Sequence, residues 1–224
     1  MYDRYAVYVT PRGGLAKTGA AWLGWDLAAG RRVAQPEVPG LDASALTQTP
    51  RKYGLHGTLK PPFHLAQGRS EAELQAALSA LCRDLAPIAL EGLEVAEMSG
   101  FVALRPIGDK HGLATMAARI VEGLDAFRAP STAAEVARRR AAPLTPEQDR
   151  LLRRWGYPYV MGAFRFHMTL TGPVPPQELG PVRAALAEMF APVLPQPFAV
   201  EDLVLAGQGA DGMFRQISRH RLGT

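Results

Sequence analysis

Leu55-His56-Gly57-Thr58-Leu59 and Phe166-His167-Met168-Thr169-Leu170 are two copies of one pattern: an apolar residue, His, any residue, Thr, Leu. In an extended backbone alternate side chains leave on opposite faces. Each segment, as a strand, sends its imidazole and hydroxyl to one side while Leu55, Gly57 and Leu59, or Phe166, Met168 and Leu170, turn to a core. Two strands that each offer a proton-transfer group beside a hydrogen-bonding hydroxyl predict one active site built from two half-sites. The same alternation puts Lys60 on the His56 face, and Arg165 and Thr171 on the His167 face, as secondary candidates for balancing a phosphate. Tyr53, Trp155, Tyr157 and Tyr159 stand just upstream of the motifs, placed to stack on a base or to anchor a loop.

Outward from the motifs, the order of elements repeats. Tyr5 to Thr10 reads as a strand, and Leu15 to Asp26 as a helix carrying Trp22 and Trp25 into the core. An irregular stretch rich in Pro and Gly leads to the first motif strand, which ends near Pro61-Pro62. Ser70 with Glu73 is a capping-box signature for a helix with Leu74, Leu78, Leu81, Cys82 and Leu85 on its apolar stripe. Strands fit Ile88 to Val95 and Phe101 to Pro106, and a helix runs from His111 to Phe127. The second motif strand spans about Ala163 to Thr171, followed by a helix through Val182, Leu186 and Met189 and strands at Phe198 to Ala206 and Met213 to Leu222. The repetition predicts lobes of about 5–100 and 101–224 within one bilobal domain, 1–224. Within the second lobe, the connection 128–160 carries Arg138, Arg139, Arg140, Arg150, Arg153 and Arg154, as a basic lid or as solvated helical faces.

The 224 residues, 47% hydrophobic and 21% charged, suffice for a buried core, and the net charge of +4 favours anionic partners only mildly. A single cysteine excludes an internal disulfide, and its position on a helical stripe makes Cys82 a packing residue. The chain has no apolar leader behind its first residues and no run of about 18 apolar residues, so the expectation is a cytoplasmic protein without membrane contact. No His-x-His, no His-Glu-x-x-His and no Gly-x-x-x-x-Gly-Lys loop occurs, so neither metal nor cofactor is expected.

Histidine gives or takes protons near neutral pH. Two on paired strands can divide the work of breaking a phosphodiester, one deprotonating the attacking oxygen and the other protonating the leaving oxygen, while Thr58 and Thr169 hold the non-bridging oxygens. The alternative for each pair is a structural His–Thr hydrogen bond.

On these motifs, together with Arg51-Lys52-Tyr53-Gly54 before the first, Trp155-Gly156-Tyr157-Pro158-Tyr159-Val160, and Phe164-Arg165 before the second, the chain resembles the 2H phosphoesterase superfamily, and within it a bacterial branch named for phosphonate metabolism. The resemblance implies an α+β, bilobal, pseudo-two-fold fold in which two antiparallel sheets flank a central cleft with helices outside. It implies catalytic His56 and His167, phosphate-binding Thr58 and Thr169, and metal-independent cleavage of a cyclic phosphodiester: a 2′,3′-cyclic nucleotide, an RNA end or a ribose cyclic phosphate. The rival expectation is a module that binds RNA ends or nucleotide phosphates without turnover.

Overall fold

In the computed structural model, which describes residues 2–223, strand β1 (Tyr5–Val9) is buried along its whole length and pairs on both sides. Next come α1 (Gly13–Leu23), the small hairpin β2 (Trp25–Asp26) and β3 (Arg31–Arg32), and α2 (Ala43–Leu46). Helix α1 stops three residues before the expected Asp26 because Gly24 takes a left-handed conformation (φ 75°) and its N–H closes on the Ala20 and Ala21 carbonyls. Trp25 therefore sits in β2 and not on the helix, yet it is buried like Trp22.

The first motif leads into β4 (Gly57–Phe63), followed by α3 (Glu71–Arg83), β5 (Ile88–Leu90), β6 (Gly92–Met98) and β7 (Phe101–Ile107). The Ser70–Glu73 capping box forms at the start of α3, whose Leu74, Leu78 and Cys82 are fully buried. Burial pushes the Cys82 thiol up to about 11, which fits its packing role. Then follow α4 (His111–Gly123), α5 (Ala133–Arg140), α6 (Pro146–Trp155), β8 (Met168–Thr169), α7 (Pro176–Phe190), β9 (Phe198–Val200), β10 (Asp202–Gln208) and β11 (Phe214–Arg221). Among the described residues no helix is long and apolar enough to cross a membrane.

The main sheet is antiparallel with the order β11-β10-β1-β4-β8-β7-β6, which places the two motif strands side by side at its centre. Around that centre the order is symmetric: β1 flanks β4 as β7 flanks β8, and β10 flanks β1 as β6 flanks β7. Off the sheet, β5 pairs with β9 from Ile88↔Val200 to Leu90↔Phe198, tying the two halves together a second time. The α+β class with antiparallel strands and helices is as expected. The sheet halves, however, do not follow the chain split near residue 100: β6 joins β7, while β10 and β11 return to β1. The cause is local. Ser99 (φ 46°) and Gly100 (φ 89°) both adopt left-handed conformations between β6 and β7, and a two-residue turn of this kind favours a hairpin.

One face of the sheet packs on the large core, which takes Val7 and Val9 from β1, Leu59 from β4 and the buried stripes of α3, α4 and α7. The opposite face carries a smaller cluster of Ala6, Tyr8, Leu27, Val204, Ala206 and Phe214, with Tyr53 packed against it. Gly57 permits the central strands to meet: a Cβ there would lie 2.3 Å from Cζ of Phe166.

Of the arginines in the connection, Arg140 and Arg153 bind Asp149, Arg150 binds Glu147 and Arg154 binds Asp125, as solvated helical faces do. Arg138 and Arg139 take no carboxylate among the described residues.

Candidate active site

The centre of the sheet is a single pair, Gly57↔Met168, the middle residues of the two motifs. Because the strands are antiparallel, continuing that register sets His56 across from Thr169 and Thr58 across from His167, with Cα separations of about 4.5–5.5 Å expected across such pairs. On that register the two histidine positions fall on one diagonal and the two threonine positions on the other. Each histidine position thus faces the threonine position of the other motif, and the symmetric strand order is centred beside this pair.

Both imidazoles are anchored the same way. Nδ1 of His56 meets the Gly54 carbonyl at 2.9 Å, and Nδ1 of His167 meets the Arg165 carbonyl at 2.8 Å, in each case two residues upstream. A carbonyl only accepts, so Nδ1 carries the proton in both rings and Nε2 is left for chemistry. The Nε2 of His56 lies 3.1 Å from the Thr58 hydroxyl, which donates to it when the ring is neutral. His167 Nε2 and the Thr169 hydroxyl have no protein hydrogen-bond partner among the described residues.

The electrostatic setting of His56 is distinctive. Burial, only partly offset by the Gly54 carbonyl and reinforced by the proximity of His167, lowers its pKa to about 4. Tyr8 supplies much of that burial: its ring centroid lies 3.9 Å from the imidazole, and Tyr53 covers another side at 5.7 Å. Tyr8 itself is wholly buried, and its hydroxyl has no hydrogen-bond partner. On the other half, Phe101 stands 5.7 Å from His167.

The secondary candidates separate. Tyr53 joins the wall beside His56, and Tyr157 lies 5.7 Å from Tyr159 with the Arg139 guanidinium 4.6 Å above its ring. The Arg165 guanidinium donates only to the Phe164 and Gly162 carbonyls and has no carboxylate partner among the described residues. Lys60 does not lie on the His56 face. The β1–β4 register slips between Tyr8↔Thr58 and Val7↔Lys60, and this bulge breaks the alternation on which its placement depended. Its ammonium is buried and donates to the Val121 carbonyl near the end of α4 at 3.0 Å. Thr171 is also structural: its hydroxyl accepts from the Val102 N–H at 3.0 Å and donates to the Gly172 carbonyl.

The second motif strand is correspondingly short. Met161–Ala163 forms a 3₁₀ turn, only Met168–Thr169 pairs as strand, and the N–H groups of Leu170 and Thr171 both turn to the Val102 carbonyl. Tyr8 escaped notice in the sequence because the parity of β1 reveals its face only once Tyr8 is known to pair with Thr58.

Two curated relatives match the chain. Ribose 1,5-bisphosphate phosphokinase PhnN of Janthinobacterium sp. (strain Marseille) is 37% identical over 218 residues, 93% of this chain and 48% of that protein. The protein of the same name from Laribacter hongkongensis is 38% identical over 205 residues, 90% of this chain and 47% of its own length. The chain therefore spans about half the length of the curated relatives it matches. Among solved structures, E. coli LigT complexed with NADP+ superposes with a TM-score of 0.47 at 16% identity, covering 100% of this chain and 99% of that one. A family profile takes in most of the span between the two motifs and beyond, from Thr58 of the first through His167 and Thr169 of the second to Arg215 in β11, and by that match over residues 58–215 the chain belongs to the family described as "Protein of unknown function (DUF1045)".

Proposed function

We propose that this protein is a phosphoesterase that opens a cyclic phosphodiester on a phosphorylated ribose without a metal ion. The observation that carries the reading is the pairing Gly57↔Met168, which sets the two His-x-Thr motifs side by side, with His167 near enough to act on the His56 charge. A lone His–Thr hydrogen bond explains only half of it, since the second pair makes no such bond.

His56, neutral at pH 7, is the general base. Its Nε2 takes a proton from water as the water oxygen bonds to phosphorus. The opposite P–O bond breaks, and His167, entering the step as the imidazolium, gives its Nε2 proton to the departing ribose oxygen and leaves neutral. Thr58 and Thr169 hydrogen-bond the non-bridging oxygens, where charge accumulates. Each proton transfer contributes roughly 10²- to 10⁴-fold in rate. The relatives' names point to a phosphorylated ribose as the ligand class. Their kinase activity is not assigned to this chain, which matches half of them and contains no Gly-x-x-x-x-Gly-Lys loop.

The test is turnover of 2′,3′-cyclic nucleotides, ribose cyclic phosphates and RNA bearing a cyclic-phosphate end, in the presence of EDTA. Opening of at least one small substrate, independent of RNA length, supports the reading. Tight binding of RNA ends with no turnover of any substrate replaces it with a binding module.

A further inference from the structure

Arg138 and Arg139 of α5 line a depression together with Arg4, Arg128, Phe63 and Gly156. Arg128 is already committed to Asp125 at 2.9 Å and to the Ala129 and Arg154 carbonyls. Arg4 and Arg139 form no ion pair among the described residues, while Arg138 stands within electrostatic reach of Glu135 without pairing to it. Arg4 gives its Nε to the Gln208 side chain and lies over Phe214, and Arg139 lies over Tyr157. None of Arg4, Arg138 and Arg139 has a carboxylate partner among the described residues. Glu135, the acidic residue lining this depression, accepts from Thr132 in the capping box of α5 and stands 3.7 Å from His64. Guanidiniums that outnumber the carboxylates around them repel one another and favour an anion among them.

Aromatic rings connect the depression to the histidine: the Arg4 guanidinium lies 6.0 Å from the Phe214 ring, and Phe214 stands 6.0 Å from Tyr8. Tyr8 stacks on His56, and its buried, unpartnered hydroxyl lies within the electrostatic reach of Arg4, Tyr53 and Tyr157. Arg4 immediately precedes β1 and stands four residues from Tyr8, about 13 Å along an extended chain. A terminal phosphate monoester carries about −1.5 to −2 at pH 7 and several acceptor oxygens, which suits guanidinium forks better than a singly charged diester does.

We propose that Arg4, Arg138 and Arg139 form a second anion site, taking a terminal phosphate monoester of the same small substrate whose cyclic diester lies between His56 and His167. The proposal rests on the phosphodiesterase reading above. Its test compares adenosine 2′,3′-cyclic phosphate with the same compound bearing a 5′-phosphate. In wild type the added phosphate raises kcat/KM at least tenfold, mainly through KM. In Arg138→Gln/Arg139→Gln that ratio falls towards one, while in Arg150→Gln, whose partner is Glu147, it persists. The exposed Arg138→Gln alone, checked for unaltered Tm, guards against misfolding of the double variant. Equal kcat/KM for the two compounds in wild type, or a ratio that survives the double substitution, overturns the second site and leaves the phosphodiesterase standing. If neither compound turns over, the phosphodiesterase reading falls and the second site is judged by calorimetry with ribose 5-phosphate. Binding to wild type that the double variant loses then supports it, and absence of binding overturns it.

Discussion

Replacing Tyr8 with Ala should return His56 toward the ordinary titration of an exposed imidazole. The Tyr8 ring lies 3.9 Å from the imidazole and is itself inaccessible to water, so removing it opens the site from beneath. His56 now sits at about 4 against the ordinary 6.5, and burial is the leading cause. That gap corresponds to at most ~3.4 kcal/mol between charged and neutral forms, and to less in practice because one edge of the ring meets solvent. The sign follows from proton uptake. Between pH 6.5 and about 4 the unfolded chain binds a proton at this residue that the folded chain refuses, so the stability His56 contributes is present above pH 6.5 and is lost as pH falls through about 4. The assay is NMR titration of the imidazole Cε1–H, with His56 identified by comparison with His56→Ala. In wild type the signal should stay in its neutral position down to pH 5, and in Tyr8→Ala it should titrate at least one pH unit higher than in wild type. The base limb of the kcat/KM profile should move upward with it. A wild-type His56 that titrates near 6.5 refutes the reasoning.

Gly57→Ala puts a methyl group 2.3 Å from the Phe166 ring at the junction of β4 and β8, so it should destabilise by about 1–3 kcal/mol in urea unfolding and depress turnover by separating the half-sites. Thr171→Val leaves the buried Val102 N–H without its acceptor and should cost about 1–3 kcal/mol while KM stays near wild type. Burial lowers the Lys60 ammonium to about 8, so folding is relieved of that charge as pH rises from 8 toward 10.5. The stability difference between wild type and Lys60→Met should therefore move in favour of wild type across that range in parallel denaturation curves.

Much of this arrangement was readable from local pattern. The capping box at Ser70 and the stripe of Leu74, Leu78 and Cys82 are set by spacing within one element; the box forms and the stripe is buried as expected. The faces of His56 and Thr58 likewise follow from residues two apart. Lys60 failed because a bulge is a property of two strands together, and nothing in Leu59-Lys60 announces the register slip against Val7. Thr171 failed for a related reason: the strand it was assigned to ends when Val102 accepts from two successive N–H groups. The return of β10 and β11 to β1 is a long-range choice of partner that element order alone left undetermined. In the Arg-rich connection, composition reported only clustered charge, and the folded positions separate Arg140, Arg150, Arg153 and Arg154, which carboxylates pair, from Arg138 and Arg139.

The measurement that tests the central claim most directly is a double-mutant cycle on one cyclic phosphodiester substrate, comparing kcat for wild type, His56→Ala, His167→Ala and the double variant. If the two motifs form one site in which base and acid act in the same displacement, each single substitution lowers kcat by roughly 10²- to 10⁴-fold. The double variant is then little worse than the poorer single, because residues that act as a unit are strongly non-additive. Wild-type turnover in either single variant, or losses that simply multiply in the double, contradicts the account.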